Sequence, residues 1–301
     1  MKVVKNIFLG IALAVSGVAL AQAPAPVSIV KDGVSSVGRT PIDCADCEVD
    51  QIDKKFMDTD GYENKVAIQQ VGGTNQAFAR QKNGINNGAS INQDGVDNYA
   101  RTAQFGNDHR VFVTQYGEGN TGRTLQRGRG QYAEQNVVGE FNNASIRQYR
   151  RRNEAIQNQE GTYNVVSAYQ RGVENVSVQN QSGAYNSAEV VQNGNANAAQ
   201  QNQLGTYNFA NAYQTGAGNV SVQSQETADD GCNFSTTNQE GESNTSCVDQ
   251  FAGAGGLNCS LVNQFGAENS TVVDQNAMNA TNNSCVLQVG VMNKAQVIQG
   301  K

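Results

Sequence analysis

The segment from Asn153 to Gln225 reads NEAIQNQEGTY, NVVSAYQRGVE, NVSVQNQSGAY, NSAEVVQNGNA, NAAQQNQLGTY, NFANAYQTGAG, NVSVQSQ when it is divided every eleven residues. Each complete line opens with Asn, carries Gln six residues later and has Gly two residues after that Gln. A fixed period of this kind indicates a repeat architecture, in which each unit is stabilised by stacking on its neighbours.

Within one unit the residues alternate in the way that a β-strand requires. In NVVSAYQ, Asn164, Val166, Ala168 and Gln170 share one face, because successive side chains of a strand point to opposite sides. A glycine follows the Gln, and glycine supplies the positive φ that a tight turn demands. The turn glycines of this segment are Gly161, Gly172, Gly183, Gly194, Gly205 and Gly216.

A unit is therefore interpreted as a strand plus a turn, and two units make one coil of 22 residues. The recurrence of Tyr163, Tyr185 and Tyr207 at that interval supports this interpretation. The predicted fold class is all-β, a two-sheet β-solenoid of stacked 22-residue coils with two strand-turn units in each coil.

Stacked coils lie about 4.8 Å apart, so equivalent residues form columns along the solenoid. A primary amide both donates and accepts hydrogen bonds, and a column of identical amides can satisfy itself, whereas one buried amide alone costs free energy. We therefore predict structural ladders of interior amides. Their expected members include Asn64, Gln70, Asn164, Gln170, Asn186, Gln192, Asn208, Gln214, Asn293 and Gln299.

The repeat continues in both directions and gives 21 units from Asn64 onward. The Gln is replaced once, by Val137, and the Asn twice, by His109 and Gln131. The second interior position holds ten Ala, six Ser, three Val, one Gly and one Thr, so we expect the two sheets to approach closely there.

Spacing between units is longer in four places, near Asn86 and before Asn233, Asn258 and Asn282. An insertion in a turn costs little, because loop entropy grows slowly with length. An insertion in a strand would reverse the two faces. We therefore expect all four insertions to lie between strands.

The pattern S/N-x5-Q-x-G-x-x-N-x5-Q resembles the repeat of the curlins, the secreted subunits of bacterial curli amyloid fibres, over about residues 64–301. The resemblance implies that residues 63–301 are a curlin-like, amyloid-forming repeat solenoid. It implies a structural subunit of extracellular fibres that polymerises by templated stacking and supports cell adhesion and the biofilm matrix. The implied partners are copies of the chain itself in a homopolymer, a curli-type secretion channel, a chaperone and a nucleator, with no cofactor.

Residues 1–21 are expected to be a secretory signal peptide, because Lys2 and Lys5 precede a short apolar run that ends in Ala19-Leu20-Ala21. Residues 22–62 contain all three prolines and no repeat, and they are interpreted as a non-repetitive secretion or linker segment. By resemblance, the chain passes through the periplasm of a Gram-negative bacterium to the cell surface.

Composition narrows the possible partners. The formal net charge of −6 argues against nucleic acid as a partner. The apolar run of the signal peptide is shorter than the roughly 20 residues that span a bilayer, so membrane insertion is not expected.

His109 and the cysteines are the residues outside the ladders that could carry chemistry. His109 occupies an Asn position without a nucleophile or metal ligand in phase with it, and we interpret it as a ladder substitution. The six cysteines depart from the curlin pattern, and their pairing stays open, as does a zinc site at the CxxC pair. They are Cys44, Cys47, Cys232, Cys247, Cys259 and Cys285.

The basic cluster at Arg150–Arg152, with further arginines from Arg123 to Arg147, has two interpretations. The charges can slow premature aggregation, as charged residues of internal curlin repeats do by resemblance. They can also bind an anionic polymer or DNA, and the first interpretation is preferred.

No acid–base pair, nucleophile or phosphate-binding loop stands out from the repeat, so no enzyme, catalytic residue or metal site is predicted. Two alternative functions remain open. One is a minor nucleator subunit of the same fibre. The other is a monomeric β-solenoid adhesin or ice-binding protein.

Overall fold

A computed structural model describes residues 64–228 and 230–300, and these residues form 21 β-strands and no helix. The predicted signal peptide (1–21) and secretion segment (22–62) lie outside the described residues. The odd-numbered strands are β1 Lys65–Gly73, β3 Gly88–Val96, β5 Arg110–Glu118, β7 Tyr132–Glu140, β9 Glu154–Thr162, β11 Val176–Ala184, β13 Ala198–Thr206, β15 Val220–Thr227, β17 Thr245–Ala252, β19 Ser270–Ala277 and β21 Lys294–Gln299. The even-numbered strands are β2 Gln76–Lys82, β4 Tyr99–Asn107, β6 Thr121–Arg129, β8 Asn143–Arg151, β10 Val165–Val173, β12 Ser187–Asn195, β14 Asn208–Ala217, β16 Cys232–Glu242, β18 Leu257–Ala267 and β20 Thr281–Val291.

Consecutive strands alternate between two parallel sheets. The odd strands form an eleven-stranded sheet and the even strands a ten-stranded sheet, each in sequence order. Register is 22 residues in the regular coils, as in the pairing of Gln170 with Gln192. The predicted two-sheet β-solenoid of 22-residue coils is confirmed.

The inserted residues fall between strands and leave the register intact. After the insertion that precedes β16, Asn208 pairs with Asn233, 25 residues away, and Gln214 still pairs with Gln239. The inserted segments also stack, because Ala228 N donates to Ala252 O at 2.8 Å. The expectation that a solenoid tolerates insertions only at its turns is met.

The core is a thin layer between the sheets, built from the second and third interior residues of every unit. One cluster contains Ile91, Val111, Val113, Ala133 and Ile146, all with an exposed fraction of 1% or less. Small residues in the second column let the sheets approach. At Gly122, an added Cβ would lie only 3.1 Å from a Val113 methyl and 3.2 Å from Gln135 Oε1.

The turn backbone differs from the sequence interpretation. Gly161, Gly172, Gly183, Gly194, Gly205 and Gly216 all have positive φ, but each is the penultimate residue of its strand. An added Cβ at Gly161 would overlap the carbonyl oxygen of Gly183, so close stacking as well as φ demands glycine. The turn itself contains a second positive-φ residue, two positions later, which the repeat formula did not reveal.

Four of these second turn residues carry aromatic rings that stack into a column. Phe141, Tyr163, Tyr185 and Tyr207 have φ between 54° and 57°. Successive ring centroids lie 5.3, 5.2 and 5.3 Å apart, and the rings are nearly parallel. This aromatic column is about half exposed along one edge of the solenoid.

Amide columns and the open ends of the solenoid

The interior Asn residues form a continuous hydrogen-bonded column in each sheet, broken only by substitutions. In the ten-stranded sheet, the backbone N–H of Asn186 donates to Asn164 Oδ1 at 3.0 Å, and both N and Nδ2 of Asn208 donate to Asn186 Oδ1 at 3.0 Å. Asn164 Nδ2 also donates to the carbonyl of Gly183 at 2.9 Å. Each Asn side chain is thereby hydrogen-bonded to the next coil, and these bonds offset the free-energy cost of burying the amide.

The Gln columns run beside the Asn columns with the opposite donor direction. Gln170 Nε2 donates to Gln192 Oε1 at 2.9 Å, and Gln192 Nε2 donates to Gln214 Oε1 at 2.8 Å. Within these two columns, the Asn-to-Asn bonds donate toward the N-terminal end of the solenoid, and the Gln-to-Gln bonds donate toward the C-terminal end. This pair of opposed directions gives the solenoid two chemically different ends.

Two further amide columns were missed by the sequence formula. An interior column on the odd strands contains Gln135, Gln157, Gln179, Gln201 and Gln223, linked by Nε2–Oε1 distances of 2.8–3.0 Å. On the outer side of the same strands, Asn136, Asn158, Asn180 and Asn202 are joined at 2.8–3.0 Å. The QNQ triplets at 157–159 and 179–181 were the available signal.

Two of the substitutions leave polar atoms without a partner. Val137 replaces the Gln between Gln115 and Gln159, and the buried Oε1 of Gln159 accepts no hydrogen bond from any described residue. Gln131 replaces an Asn, and its own buried Oε1 is also unsatisfied. These are local defects in columns that are otherwise continuous.

His109 reproduces the hydrogen bonding of the Asn that it replaces. Its Nε2 lies 3.2 Å from Phe105 O, the bond that an Asn Nδ2 makes four residues back, and its Nδ1 accepts the backbone N–H of Gln131 at 3.4 Å. These roles require the Nε2–H tautomer. Burial is the main cause that lowers the pKa of His109, partly opposed by its backbone hydrogen bonds and by Asp108.

Within residues 64–300, both ends of the solenoid are open. In the described residues, β1 and β21 are the edges of one sheet, and β2 and β20 are the edges of the other. Core side chains are exposed at the first edge, Val66 by 48% and Ile68 by 45%. Unpaired strand edges with uncovered apolar residues favour addition of another strand.

The end amides are complementary. At the C-terminal end, no described residue donates to Asn282 Oδ1 or Asn293 Oδ1, although every earlier Asn oxygen of the undisturbed columns accepts from the next coil. At the N-terminal end, no described residue donates to Gln70 Oε1, while Gln70 Nε2 donates to Gln93 at 2.7 Å. Open Asn oxygens thus lie at one end and open Gln oxygens at the other.

Three cysteines lie in a diagonal row on the outer side of the ten-stranded sheet. Cys232 is opposite Leu257, two residues before Cys259, and Cys259 is opposite Asn283, two residues before Cys285. Diagonal neighbours of this kind are about 7–8 Å apart, beyond the usual disulfide separation. Among the described residues, none of these three thiols forms a disulfide. Burial, and then the neighbouring Cys259, raise the pKa of the Cys232 thiol.

Cys247 lies in the other sheet, where it is buried beside Val222. Cys44 and Cys47 lie outside the described residues. The described residues contain no group of three or more His, Cys, Asp or Glu that could hold a metal ion. Across residues 64–228 and 230–300, no helix is long and apolar enough to cross a membrane.

Arg150–Arg152 are exposed at the end of β8, but they do not form a simple column of like charges. Arg152 lies 3.0 Å from Glu174 in the following coil. Arg151 is directly opposite Arg129 of the preceding coil. Arg150 takes the place of the strand glycine and has φ of 85°.

The fold and its columns define a class of protein, the β-solenoids whose interior is held by amide ladders. Comparison with protein families then gives a match to the model described as Curlin associated repeat, at residues 61–95 and 84–117. Both matches lie within residues 61–117, and they support membership of the curlin family. No curated protein matches the chain.

The matched residues span β1 to β5, and the same register of Asn, Gln and paired strands continues to β21. Curlin repeats are typical of structural proteins.

Proposed function

We propose that this protein is a structural subunit of an extracellular curli-like amyloid fibre, which grows by stacking one solenoid end-to-end on the next. The observation that carries the proposal is the complementarity of the two open ends. Asn282 and Asn293 offer side-chain oxygens at one end. At the other end, Asn64 and Asn75 lack the preceding Asn oxygen to which later Asn residues donate.

The Gln columns supply the reciprocal bonds. At the C-terminal end, Gln299 Nε2 donates to Asn283 O at 2.9 Å and to no other described residue. At the N-terminal end, Gln70 Oε1 accepts no hydrogen bond from a described residue. Head-to-tail contact therefore extends both kinds of column, whereas head-to-head contact sets like groups against each other. A heterologous contact that does not close produces a filament.

Export completes the proposal. Residues 1–21 act as the signal peptide, and residues 22–62 address the chain to a curli-type secretion channel, aided by a chaperone. A nucleator starts the fibre at the cell surface, where the fibre supports adhesion and the biofilm matrix.

The test is assembly of the purified mature chain, followed by thioflavin fluorescence and electron microscopy. We expect a lag, fibres, and loss of the lag when preformed fibres are added as seeds. A chain that stays folded and monomeric for days at tens of micromolar would instead support the solenoid adhesin or ice-binding alternative. A minor nucleator would be recognised because it seeds another subunit better than it extends itself.

A further inference from the structure

The two sheets of the solenoid carry opposite charge in their first five coils. The strands β2, β4, β6, β8 and β10 contain ten Lys or Arg residues and no Asp or Glu. The strands β1, β3, β5, β7 and β9 contain six Asp or Glu residues and two Lys or Arg. Alternation of successive units between the sheets therefore separates charges that are mixed along the sequence.

The ten basic side chains are all exposed, and together they form what we name the basic face, the outer side of β2–β10 in the ten-stranded sheet. In the described residues, only Arg129 among the ten contacts a carboxylate, Asp108 at 3.0 Å. The other nine have no ion-pair partner there. An overall net charge of −6 does not prevent this local excess of positive charge.

The fold places like charges next to each other on this face. Arg101 is directly opposite Arg123 on neighbouring strands, and Arg129 is directly opposite Arg151. Directly opposed like charges destabilise a sheet. A bound polyanion would remove that repulsion. If these side chains faced only solvent, the repulsion would remain.

Aromatic rings hold several of the guanidinium groups over the face. Phe105 lies between Arg80 and Arg127, at 5.6 and 5.1 Å from the ring centroid. Arg123 lies 5.6 Å from the ring centroid of Tyr99. These contacts restrict long side chains, and a restricted guanidinium is suited to bidentate binding of carboxylate.

We propose that the basic face binds a linear acidic polysaccharide that carries carboxylates, with the polymer running along the solenoid axis. Coils repeat about every 4.8 Å, and a polyuronate offers one carboxylate per sugar ring, a comparable repeat. Single-stranded nucleic acid gains much of its affinity by stacking bases on free aromatic faces. On this face the rings of Phe105 and Tyr99 are already occupied by guanidinium groups.

The test is co-sedimentation of the folded, assembled chain with fluorescent polygalacturonate, with dextran as an uncharged polymer and a single-stranded oligonucleotide as the competing polyanion. The face variant is Arg123→Gln with Arg147→Gln. The matched control is Lys65→Gln with Lys294→Gln, which removes the same charge from the other sheet. Circular dichroism checks that each variant keeps its β-structure, and fibre mass is measured separately, so a failure to assemble is distinguished from a failure to bind.

The expected result is salt-sensitive binding of polygalacturonate that weakens about tenfold in the face variant, or about 1.4 kcal/mol, and changes less than about twofold in the control. Dextran is expected not to bind. Equal loss in both variants, or binding of dextran, would overturn the proposal. Tighter binding of the oligonucleotide than of polygalacturonate would also overturn it and assign the face to nucleic acid.

Discussion

A single side chain in a stacked column has neighbours of its own kind, and its replacement is felt by the coil on either side. Val137 shows this most directly, because its side chain is fully buried and the unsatisfied atom belongs to Gln159, one coil later. His109 shows the opposite outcome, since a different side chain supplies the same donor and acceptor.

Val137→Gln is expected to stabilise the folded chain by about 1 kcal/mol, because the new amide can accept from Gln115 and donate to Gln159. The denaturant midpoint of the folded chain measures the change. Val111→Gln is the matched control, since Val111 lies in the column of small residues and has no amide neighbours. We expect Val111→Gln to destabilise the chain. Stabilisation by both variants would contradict a role for the Gln column.

His109 is expected to make stability depend on pH. Its pKa in the folded chain is below the ordinary value of 6.5, so folding favours the neutral ring. Stability from this group is complete above pH 6.5 and falls as the pH drops below it, because a protonated Nδ1 would point a proton at the Gln131 N–H.

Denaturant midpoints measured at pH 8 and pH 5 for the natural chain and for His109→Asn test this expectation. The variant should lose part of the acid sensitivity, while carboxylates elsewhere keep the remainder. An identical difference between the two pH values in both chains would show that His109 does not titrate with folding.

At the scale of the element, most of the described strands are followed by a turn residue with positive φ, a backbone conformation that L-residues rarely adopt. The strand glycine is forced by contact with the next coil, but the turn residue two positions later is in most units not glycine, and residues such as Tyr, Glu and Ala have φ near 55° there. Such residues cost roughly 1 kcal/mol each. In the aromatic column, ring stacking offsets this strain.

Tyr185→Gly is therefore expected to destabilise the chain by about 1 kcal/mol, since two ring contacts of roughly 0.5–1.5 kcal/mol each are lost and only the strain is relieved. Ala196→Gly is the control, because Ala196 has φ of 53° and no ring to lose. We expect that change to be neutral or slightly stabilising. The denaturant midpoints of the two variants measure these changes in stability. A larger loss of stability for Ala196→Gly than for Tyr185→Gly would contradict a stabilising role for the aromatic column.

At the scale of the whole molecule, the ends differ from the middle because their amides have a partner on one side only. Replacing Asn293 and Gln299 by Ala is expected to slow seeded elongation more than the same change at Asn142 and Gln148. Each lost amide bond is worth about 1 kcal/mol, plus the cost of the partner left unsatisfied. Seeded elongation rates of the two double variants measure this, and equal slowing would mean that growth does not use the solenoid ends.

The odd number of strands in residues 64–300 predicts how successive subunits are oriented in the fibre. With 21 strands, the next strand in the alternation belongs to the ten-stranded sheet. An incoming β1 that continues the alternation pairs with β20, and its β2 pairs with β21. Each subunit is then rotated by half a turn about the fibre axis relative to the previous one.

The expected axial repeat is two subunits, about 100 Å at the coil spacing of about 4.8 Å. Electron cryo-microscopy of the fibres measures it. Deletion of residues 293–301 leaves an even number of the described strands and should shorten the repeat to one subunit, about 48 Å. A one-subunit repeat in the natural chain would contradict the half-turn.

The sequence by itself determined the solenoid, its two-strand coil and the columns of Asn and Gln. The sequence has a period of eleven residues, and inward and outward side chains alternate within each unit. Stacked coils bury the same residues in every unit, and the pairing of Gln170 with Gln192 confirms this β-solenoid. The small second interior residue also predicted the narrow core. These features are local and repeated, so each is visible many times in the chain.

Only the tertiary structure decided the features that depend on which sheet a unit joins. Alternation puts the arginines of β6 and β8 on one sheet and the carboxylates of β7 and β9 on the other, although these strands adjoin in the sequence. It also brings Gln157 against Gln179 while the intervening unit carries Ala168 at that position. The physical reason is that lateral contacts in a solenoid join residues 22 apart, and only stacking reveals the direction of the amide bonds and the open groups at each end.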